Sequence, residues 1–313
     1  MSNTSAQDKD RNRAGLYGLL IGDALGVPYE FHDAQDLPHE RELDMDPPPG
    51  FPRAHASVPP GTWSDDGAQA LCLLESLNHD PALDLAHFSQ LLLAWRESGH
   101  MTPDGRVFDV GIQTSRALDA LRRGAAPSDA GPRGERDNGN GALMRCLPVV
   151  FIATSDDEAV DLAMRQGLPT HGHIRSQLCC AMYALIARRL LEGASAGDAV
   201  ERAGANLRQR FGGTASAPEM NLVLNGSQEP GRGSGYVLDS LWSAVQCLLT
   251  TSNFQTCLQS AVSLGNDTDT TAAISGGLAG LRYGFDAIPE RWITALHGRD
   301  TVDALLGASS RSR

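Results

Sequence analysis

Two short acidic segments, separated by most of the chain, place the strongest constraint on how this sequence can fold. They are Ser64-Asp65-Asp66 and Asp267-Thr268-Asp269-Thr270, and each opens a stretch with helical periodicity. Both combine carboxylates with hydroxyl oxygens and contain neither sulfur nor imidazole, which is the ligand set suited to Mg²⁺ or Mn²⁺. Four aspartates brought together by folding would repel one another unless divalent cations lay between them. We therefore expect the fold to join two helix starts around a two-metal site.

Helix capping is the alternative interpretation of either segment alone. Ser, Thr and Asp are preferred N-cap residues, and acidic side chains in a first turn interact favourably with the helix dipole. The segment Thr62-Trp63-Ser64-Asp65 resembles a capping box with Asp in place of the usual Glu or Gln. A calcium-binding EF-hand loop beginning at Asp267 is excluded, because it would need Gly at Ala272 and Glu at Leu278. The presence of two similar clusters, both flanked by glycine, favours the metal site.

Apolar residues recur at helical spacing through most of the sequence, and this pattern predicts the fold class. Five segments present such a face: 83–95, 110–121, 174–190, 238–248 and 254–262. Each places leucines, valines or aromatic residues three and four positions apart, on one side of a helix. Alternating runs of β-branched residues, which are typical of strands, are nearly absent. We therefore expect an all-α fold.

Three segments rich in glycine, proline or polar residues interrupt the helical pattern and are expected to be irregular: 38–60, 124–141 and 211–235. Long irregular segments inside a domain are usually functional or disordered. Chemical motifs lie on both sides of all three, so none is a linker between independent units. We expect one domain at 14–297, preceded by a flexible N-terminal tail at 1–13 and followed by a C-terminal tail at 298–313.

Charge and cysteine usage limit the partners and the compartment. The formal net charge of -12 argues against a broad nucleic-acid-binding face. The six cysteines form no CxxC pair, and most lie in apolar helical runs, as free buried thiols do. No apolar run reaches the length of a membrane span, and the apolar stretch near the N-terminus is interpreted as a helix and not as an export signal. These features predict a cytoplasmic protein without a membrane partner.

A glycine-rich element is a candidate phosphate-binding segment. It reads Asp137-Asn138-Gly139-Asn140-Gly141-Ala142-Leu143-Met144-Arg145 and leads into an apolar run. Small residues at a helix start let backbone N–H groups approach a phosphate, where the dipole favours the anion. The element lacks the Lys-Ser/Thr of a P-loop and the final Gly of a dinucleotide fingerprint. By itself it is equally consistent with a flexible turn.

Two further polar positions are candidates for the same site. Glu30 follows Gly22-Asp23-Ala24-Leu25-Gly26 and brings another carboxylate within reach. Thr170-His171-Gly172-His173 contains two histidines, but the i and i+2 positions suit a shared metal poorly on a helix. We therefore interpret His171 as a polar contact to a ligand or a neighbour and not as a metal ligand.

The combination of these motifs resembles the ADP-ribosylglycohydrolases, the family of dinitrogenase reductase-activating glycohydrolase and the ADP-ribosyl-acceptor hydrolases. The resemblance runs from about residue 14 to residue 297 and depends on the order of six motifs. They are Gly22-Asp23-Ala24-Leu25-Gly26 with Glu30, Gly61-Thr62-Trp63-Ser64-Asp65-Asp66, Asp109-Val110-Gly111, Asn138-Gly139-Asn140-Gly141-Ala142-Leu143-Met144-Arg145, Thr170-His171 and Gly265-Asn266-Asp267-Thr268-Asp269-Thr270.

The resemblance implies an all-α domain that holds two Mg²⁺ ions, or Mn²⁺, at the bottom of a cleft. The implied metal ligands are Ser64, Asp65, Asp66, Asp267, Asp269 and Thr270, with Glu30 close by or ligating. The implied substrate-binding residues are Asn138, Gly139, Asn140, Gly141, Ala142, Leu143, Met144, His171, Tyr236, Gly265 and Asn266. Ser64 replaces a commoner Thr and keeps the hydroxyl, whereas Asn266 replaces a frequent Gly and is expected to narrow the pocket. Glu30, Asp65 and Asp137 are the candidates for the acid or base.

The activity implied by the resemblance is hydrolysis of the bond between C1 of the distal ribose and an acceptor atom, which releases ADP-ribose. Such a cleavage passes through an oxocarbenium-like transition state. We expect ADP-ribosylated arginine on a protein as substrate, because carboxylates and Tyr236 suit a guanidinium. Serine-linked, nucleic-acid-linked and small-molecule conjugates remain alternatives, as do a non-catalytic ADP-ribose-binding protein and a two-metal phosphoesterase.

Overall fold

We describe the protein from a computed structural model, which covers the backbone of residues 2–309 and the side chains of residues 9–308. Met1 and residues 310–313, which belong to the two expected tails, lie outside the described part. The α-helices are α1 Ser2–Gly26, α2 Asp65–His79, α3 Leu85–Ser98, α4 Ile112–Arg122, α5 Val149–Ile152, α6 Asp156–Gly167, α7 Ile174–Leu191, α8 Ala196–Phe211, α9 Ala217–Asn225, α10 Val237–Thr250, α11 Phe254–Val262, α12 Thr268–Tyr283, α13 Glu290–Ala295 and α14 Arg299–Ser309.

The predicted all-α fold is confirmed. Residues 2–309 contain no β-strand, and extended pairing is limited to isolated bridges between Asp33 and Gly265 and between Gly139 and Tyr236. All five segments with a periodic apolar face contain helices, namely α3, α4, α7, α10 and α11. Helix α7 ends two residues before Gly193, whose φ of +87° is in the left-handed region that glycine adopts without strain.

Three segments differ from the expectations of irregular or tail structure. Helix α9 lies inside the segment 211–235, where proline fits the first turn and apolar side chains such as Met220 and Val223 are buried. Helix α14 lies in the expected C-terminal tail, and its Val302 is fully buried. It contacts α2, where the side-chain amide of Asn78 donates to the carbonyl oxygen of Leu305 at 3.0 Å. Helix α1 begins within the expected N-terminal tail, at Ser2.

Helices α1 and α12 cross in direct backbone contact. A Cβ atom added at Gly22 of α1 would lie 2.0 Å from the carbonyl oxygen of Ala272 in α12. Farther along, a Cβ atom added at Gly26 would lie 2.3 Å from the Cα atom of Asp269. Side chains at these positions would force the helices apart. The start of α12 therefore lies against the end of α1, and this contact positions the acidic cluster at 267–270.

The core surrounds this crossing and contains the cysteines. All six are buried and carry free thiols, as the sequence predicts. The side chains of Leu16, Leu20, Ile274 and Leu278 are fully buried along the two crossing helices. None of the helices in the part of the chain that the structure describes is long and apolar enough to cross a membrane.

Candidate active site

The structure brings the two acidic clusters together at the starts of α2 and α12. Asp66 Oδ2 accepts hydrogen bonds from Ser64 Oγ in its own cluster and from Thr270 Oγ1 in the other, each at 3.3 Å. Their side chains, and those of Asp65 and Asp269, are almost completely buried. Residues from opposite parts of the sequence thus form one polar centre inside an apolar core.

Helix capping accounts for little of this arrangement. Ser64 is the N-cap of α2, but its hydroxyl accepts from the backbone N–H of Asp66 at 3.4 Å, which is long for a hydrogen bond. Asp267 is the N-cap residue of α12, and its side chain makes no capping hydrogen bond. Instead, Asp267 Oδ2 accepts from the side-chain amide of Asn140 at 2.8 Å. Asp269 Oδ1 does accept from the N–H of Thr270 in the first turn of α12, at 2.8 Å. The Asp267 carboxylate, in contrast, is engaged across the site and does not cap its helix.

Asp23 holds the first cluster in place from α1. Its carboxylate is fully buried and accepts hydrogen bonds from the backbone N–H groups of Ser64 and Gly67, both at 2.8 Å. Burial raises the pKa of Asp23 to about 7, although these two hydrogen bonds lower it. Both of its oxygens are already engaged, so Asp23 shapes the loop before α2 and is a supporting residue that the sequence analysis gave no role.

Two further carboxylates, those of Glu30 and Asp109, lie beside Asp269 of the second cluster. Ligand atoms of Glu30, Asp109 and Asp269 lie within 4.8 Å of one another. Glu30 Oε2 is also 2.7 Å from His55 Nε2, in an ion pair that is largely shielded from solvent. Asp109 has a φ of +50°, an uncommon backbone conformation for a residue other than glycine. It was noted in the sequence only as part of a family motif, and the structure places its carboxylate inside the site.

The electrostatics of this centre favour bound cations. Burial, and then the negative charges of the surrounding acids, raise the pKa values of Asp65, Asp66 and Asp269 well above the usual range. Burial raises the pKa of Glu30 to about 8, even though its hydrogen bond to His55 lowers it. Asp66 Oδ1 and Asp269 Oδ2 are buried and have no hydrogen-bond partner among the described residues. Unpartnered carboxylate oxygens beside hydroxyl oxygens fit hard divalent cations such as Mg²⁺ or Mn²⁺.

A cavity of about 450 Å³ opens over the acidic centre. Ten residues expected from the sequence line it: Glu30, Asp65, Asp137, Gly139, Asn140, Gly141, Met144, His171, Asp267 and Thr270. Ser64, Asp66 and Asp269 are buried behind this surface. The cavity therefore combines an acidic floor with a wall formed by the glycine-rich element.

Hydrogen bonds to neighbouring segments fix the glycine-rich element. The backbone N–H of Gly139 donates to Gln113 Oε1 at 3.2 Å, and that of Asn140 donates to the carbonyl oxygen of Gly235 at 3.2 Å. The carbonyl oxygen of Asn138 accepts from the N–H of Val237 at 3.0 Å. The element is thus an ordered wall and not a flexible turn, which was the alternative interpretation.

His171 lies against this wall as a neutral side chain. It is completely buried, and burial, followed by the nearby positive charge of Arg145, lowers its pKa to about 3. A Cβ atom added at Gly141 would lie 2.8 Å from His171 Cε1. Glycine at this position therefore lets the imidazole reach the cavity.

Six expected substrate-binding residues do not line this cavity. Asn138, Ala142 and Leu143 are buried behind the wall. Gly265 and Asn266 join neighbouring loops, and the Asn266 side chain donates to the carbonyl oxygen of Arg232 at 2.9 Å. Tyr236 is 41% exposed and lines an adjacent cavity of about 270 Å³. Its hydroxyl oxygen accepts a hydrogen bond from Arg175 Nη1 at 3.1 Å.

The structure also adds residues that sequence reasoning did not select. Besides Asp109, the cavity is lined by Ile112, Gln113, Thr114, Arg116 and Arg136. All but Arg136 lie in or beside the first two turns of α4. Arg136 immediately precedes the glycine-rich element, so proximity to that motif is a signal that was available. Nothing in the local sequence distinguishes Arg116 from Arg122, the other arginine of α4.

Comparisons with known proteins agree on one family. A protein-family profile described as ADP-ribosylglycohydrolase matches residues 4–312. The ADP-ribosylarginine hydrolase Tri1 of Serratia proteamaculans (strain 568) is 31% identical over 308 residues, which cover 96% of this chain and 79% of the relative. The ADP-ribosyl-[dinitrogen reductase] glycohydrolase of Rhodospirillum rubrum is 29% identical, with coverages of 95% and 96%.

A more distant relative and a solved structure extend this result. The ADP-ribosylhydrolase ARH3 of Homo sapiens is 27% identical, with coverages of 96% of this chain and 93% of the relative. A solved structure titled ADP-ribosylglycohydrolase-related protein complex superposes with a TM-score of 0.80 at 32% identity. The match covers 98% of this chain and 99% of the other, so the two chains share the fold over nearly their whole length.

Proposed function

The chain belongs to the ADP-ribosylglycohydrolase family and is an ADP-ribosyl hydrolase, and from this premise we propose that it removes ADP-ribose from arginine side chains of modified proteins with the help of two divalent cations. The observation that carries the proposal is the buried acidic centre beneath a cavity of about 450 Å³. In this centre, one carboxylate oxygen each of Asp66 and Asp269 has no hydrogen-bond partner among the side chains and backbone that the structure describes.

The residues proposed to hold the cations are those of the two clusters. They are Ser64, Asp65, Asp66, Asp267, Asp269 and Thr270. Glu30 and Asp109, whose carboxylates lie close to that of Asp269, are further proposed ligands. When bound, the cations supply positive charge that offsets the carboxylates and polarises the hydroxyl groups of the distal ribose. The preference between Mg²⁺ and Mn²⁺ is a matter for titration.

The diphosphate of ADP-ribose is proposed to bind at the glycine-rich wall. Gly141 lines the cavity, and its backbone N–H donates no hydrogen bond to any described residue, so we propose that it binds the anion. Arg116 and Arg136 also line this cavity, and neither forms an ion pair within residues 9–308. Two arginines and a free N–H give an acidic protein a local means of binding phosphate.

Glu30 is the acid or base that the geometry supports best. Its carboxylate lines the cavity within the acidic centre, and its hydrogen bond to His55 offers a path for a proton. Asp65 lies deeper and is held by the side-chain amide of Gln69 at 3.0 Å. Asp137 also lines the cavity, but its Oδ2 accepts from the N–H of Gly134 at 3.0 Å, which draws it toward its own loop.

Arginine is the proposed acceptor for two reasons. Asp137 lines the cavity, is not among the proposed cation ligands and suits a guanidinium by charge. The relative Tri1 is named an ADP-ribosylarginine hydrolase. The proposed reaction adds water to C1 of the ribose and breaks the bond to a guanidinium nitrogen, which leaves with the proton it requires. Tyr236 and Asn266 lie outside the main cavity. Tyr236 remains a proposed contact of the acceptor, and Asn266 remains a proposed residue of the pocket rim.

The test is an incubation with matched peptides that carry ADP-ribose on arginine or on serine, with Mg²⁺, with Mn²⁺ and with a chelator. Mass spectrometry should detect free ADP-ribose, formed at least about tenfold faster from the arginine peptide, a difference equivalent to 1.4 kcal/mol. Faster release of ADP-ribose from the serine peptide would refute arginine as the acceptor and would still agree with an ADP-ribosyl hydrolase activity. AMP as the product would indicate a phosphoesterase.

A further inference from the structure

A completely buried arginine lies directly behind the active site. Arg145 donates from Nε to Gln166 Oε1 at 3.0 Å and from Nη1 to Gln69 Oε1 at 2.7 Å. Its Nη2 donates to the carbonyl oxygen of Gln166 at 2.9 Å and to Thr170 Oγ1 at 2.7 Å. Among the described residues no carboxylate lies within ion-pair distance of this guanidinium. Every partner is a neutral oxygen, so the arginine acts as a set of fixed donors.

One chain of hydrogen bonds leads from Arg145 to the acidic centre. A guanidinium has donors and no acceptor, so Gln69 must turn its carbonyl oxygen toward Arg145. The NH₂ group of Gln69 is then directed at Asp65 Oδ2, which accepts at 3.0 Å. The orientation of the Gln69 amide therefore follows from Arg145, and one oxygen of Asp65 is held while the carboxylate lines the cavity.

A second chain leads from Arg145 to His171. Thr170 Oγ1 accepts from the guanidinium, so the hydroxyl proton remains free to be donated. The other partner of this hydroxyl within residues 9–308 is His171 Nδ1, at 2.9 Å. If Nδ1 carried the proton, the threonine proton would have no acceptor. Nδ1 is therefore the acceptor, and the proton of the imidazole lies on Nε2, which faces Gly139 and Gly141.

We propose that Arg145 is a positioning residue that sets the direction of both hydrogen-bond chains, so that Asp65 accepts from Gln69 and His171 presents an Nε2–H donor to the cavity. The ligand group that this donor fits is an oxygen acceptor, either a ribose hydroxyl or a phosphate oxygen. Identification of that ligand as ADP-ribose rests on the proposed function. The tautomer of His171 is independent of it.

The test uses Thr170, because replacement of the buried arginine itself would disturb folding. Thr170→Val keeps the shape of the side chain and removes the hydroxyl, whereas Thr170→Ser keeps the hydroxyl. The protein labelled with ¹⁵N is studied by two-dimensional NMR of the imidazole nitrogens, and the His171 signals are assigned by their loss in His171→Gln. The wild type and Thr170→Ser should carry the proton on Nε2. In Thr170→Val the two tautomers should mix.

Affinity for ADP-ribose, measured by calorimetry with Mg²⁺ present, should fall about tenfold in Thr170→Val and recover in Thr170→Ser. A proton on Nδ1 of His171 in the wild type would overturn the proposal. So would a Thr170→Val variant with an unchanged tautomer and unchanged affinity. Neither readout requires turnover, so failure to hydrolyse an arginine conjugate would refute the proposed function and leave this inference intact.

Discussion

At the scale of single residues, a substitution of Asp269 distinguishes a metal-binding role of the acidic cluster from a helix-capping role. Its Oδ2 is buried and has no hydrogen-bond partner within residues 9–308, so Asp269→Asn removes a proposed ligand and a repulsive charge together. We expect loss of metal binding and of activity, with helical content retained. Elemental analysis, circular dichroism and the hydrolysis assay measure these effects.

The matched control is Asp84, which caps α3 through hydrogen bonds to the N–H groups of Ala86 and His87. Asp84→Ala should lower the free energy of unfolding by about 1 kcal/mol and leave metal content and activity unchanged. Full activity and metal content in Asp269→Asn would show that the acidic centre holds no essential cation.

The arginines that line the cavity give a second test at this scale. Arg116→Ala and Arg136→Ala should each weaken ADP-ribose binding about tenfold, since each loses a charge-assisted contact to a phosphate. Arg123→Ala is the control, because Arg123 is exposed at the end of the same helix and does not line the cavity. Calorimetry at two salt concentrations measures the change. Equal affinities in all three variants would contradict the proposed diphosphate site.

The residues that could be predicted were those with distinctive chemistry. Ser64, Asp66 and Asp269 stand out because carboxylates and hydroxyls cluster in the sequence. Asp109 and Arg116 do not, because one acid before a helix and one arginine within it are common, and only the folded chain brings them to the cavity.

At the scale of elements, the crossing of α1 and α12 predicts a strong effect of a small change. Gly22→Ala adds a methyl group 2.0 Å from a backbone oxygen of α12, so the helices must separate. We expect a loss of about 1–3 kcal/mol in the free energy of unfolding, together with weaker metal binding because Asp269 shifts with α12. Urea unfolding and calorimetry measure the two quantities.

Gly197 in α8 is the matched control for this substitution, because a Cβ atom there meets nothing within 4 Å. Gly197→Ala should stabilise the protein by about 0.5–1 kcal/mol, since alanine has the higher helix propensity. If both variants unfold alike, the close approach of the helices is not what Gly22 preserves.

Helices were predictable where a long apolar stripe faces the core, as in α7 and α10. Helix α9 was missed because glycine and serine surround it and only a few residues, including Met220 and Val223, anchor it. The contact of α1 with α12 was beyond the reach of the sequence pattern. In the sequence alone, a glycine within a helix indicates only a lower helix propensity. Whether it permits a close crossing depends on which helix packs against it, and the sequence pattern does not show that.

At the scale of the molecule, the buried carboxylates predict an unusual pH dependence of the metal-free protein. Burial raises the pKa of Asp23 from 3.8 to about 7 and that of Glu30 from 4.5 to about 8. The folded state therefore binds more protons than the unfolded state between about pH 4 and pH 8. The contribution of these two groups to stability is fully present below their ordinary pKa values and is lost as the pH rises through the raised ones.

Thermal unfolding in a chelator should therefore show a melting temperature that decreases from pH 5 to pH 8. Mg²⁺ or Mn²⁺ should raise the melting temperature most at pH 8, because cations bind the deprotonated carboxylates and release protons. The same pH scan on Asp269→Asn is the control. Because this variant has one buried carboxylate fewer, its melting temperature should depend less on pH than that of the wild type. A metal-free protein that is most stable at pH 8 would contradict the origin assigned to these shifts.

The position of α12 against α1 has a consequence for biosynthesis. Asp23 and Glu30 leave the ribosome early, whereas Asp267 and Asp269 leave it only after most of the protein has been made. A nascent chain therefore carries half of the acidic centre without the helix that completes it, and cannot assemble the two-cluster site until α12 emerges. We therefore expect catalytic competence only once α12 has been made, and none in truncated products that lack this helix.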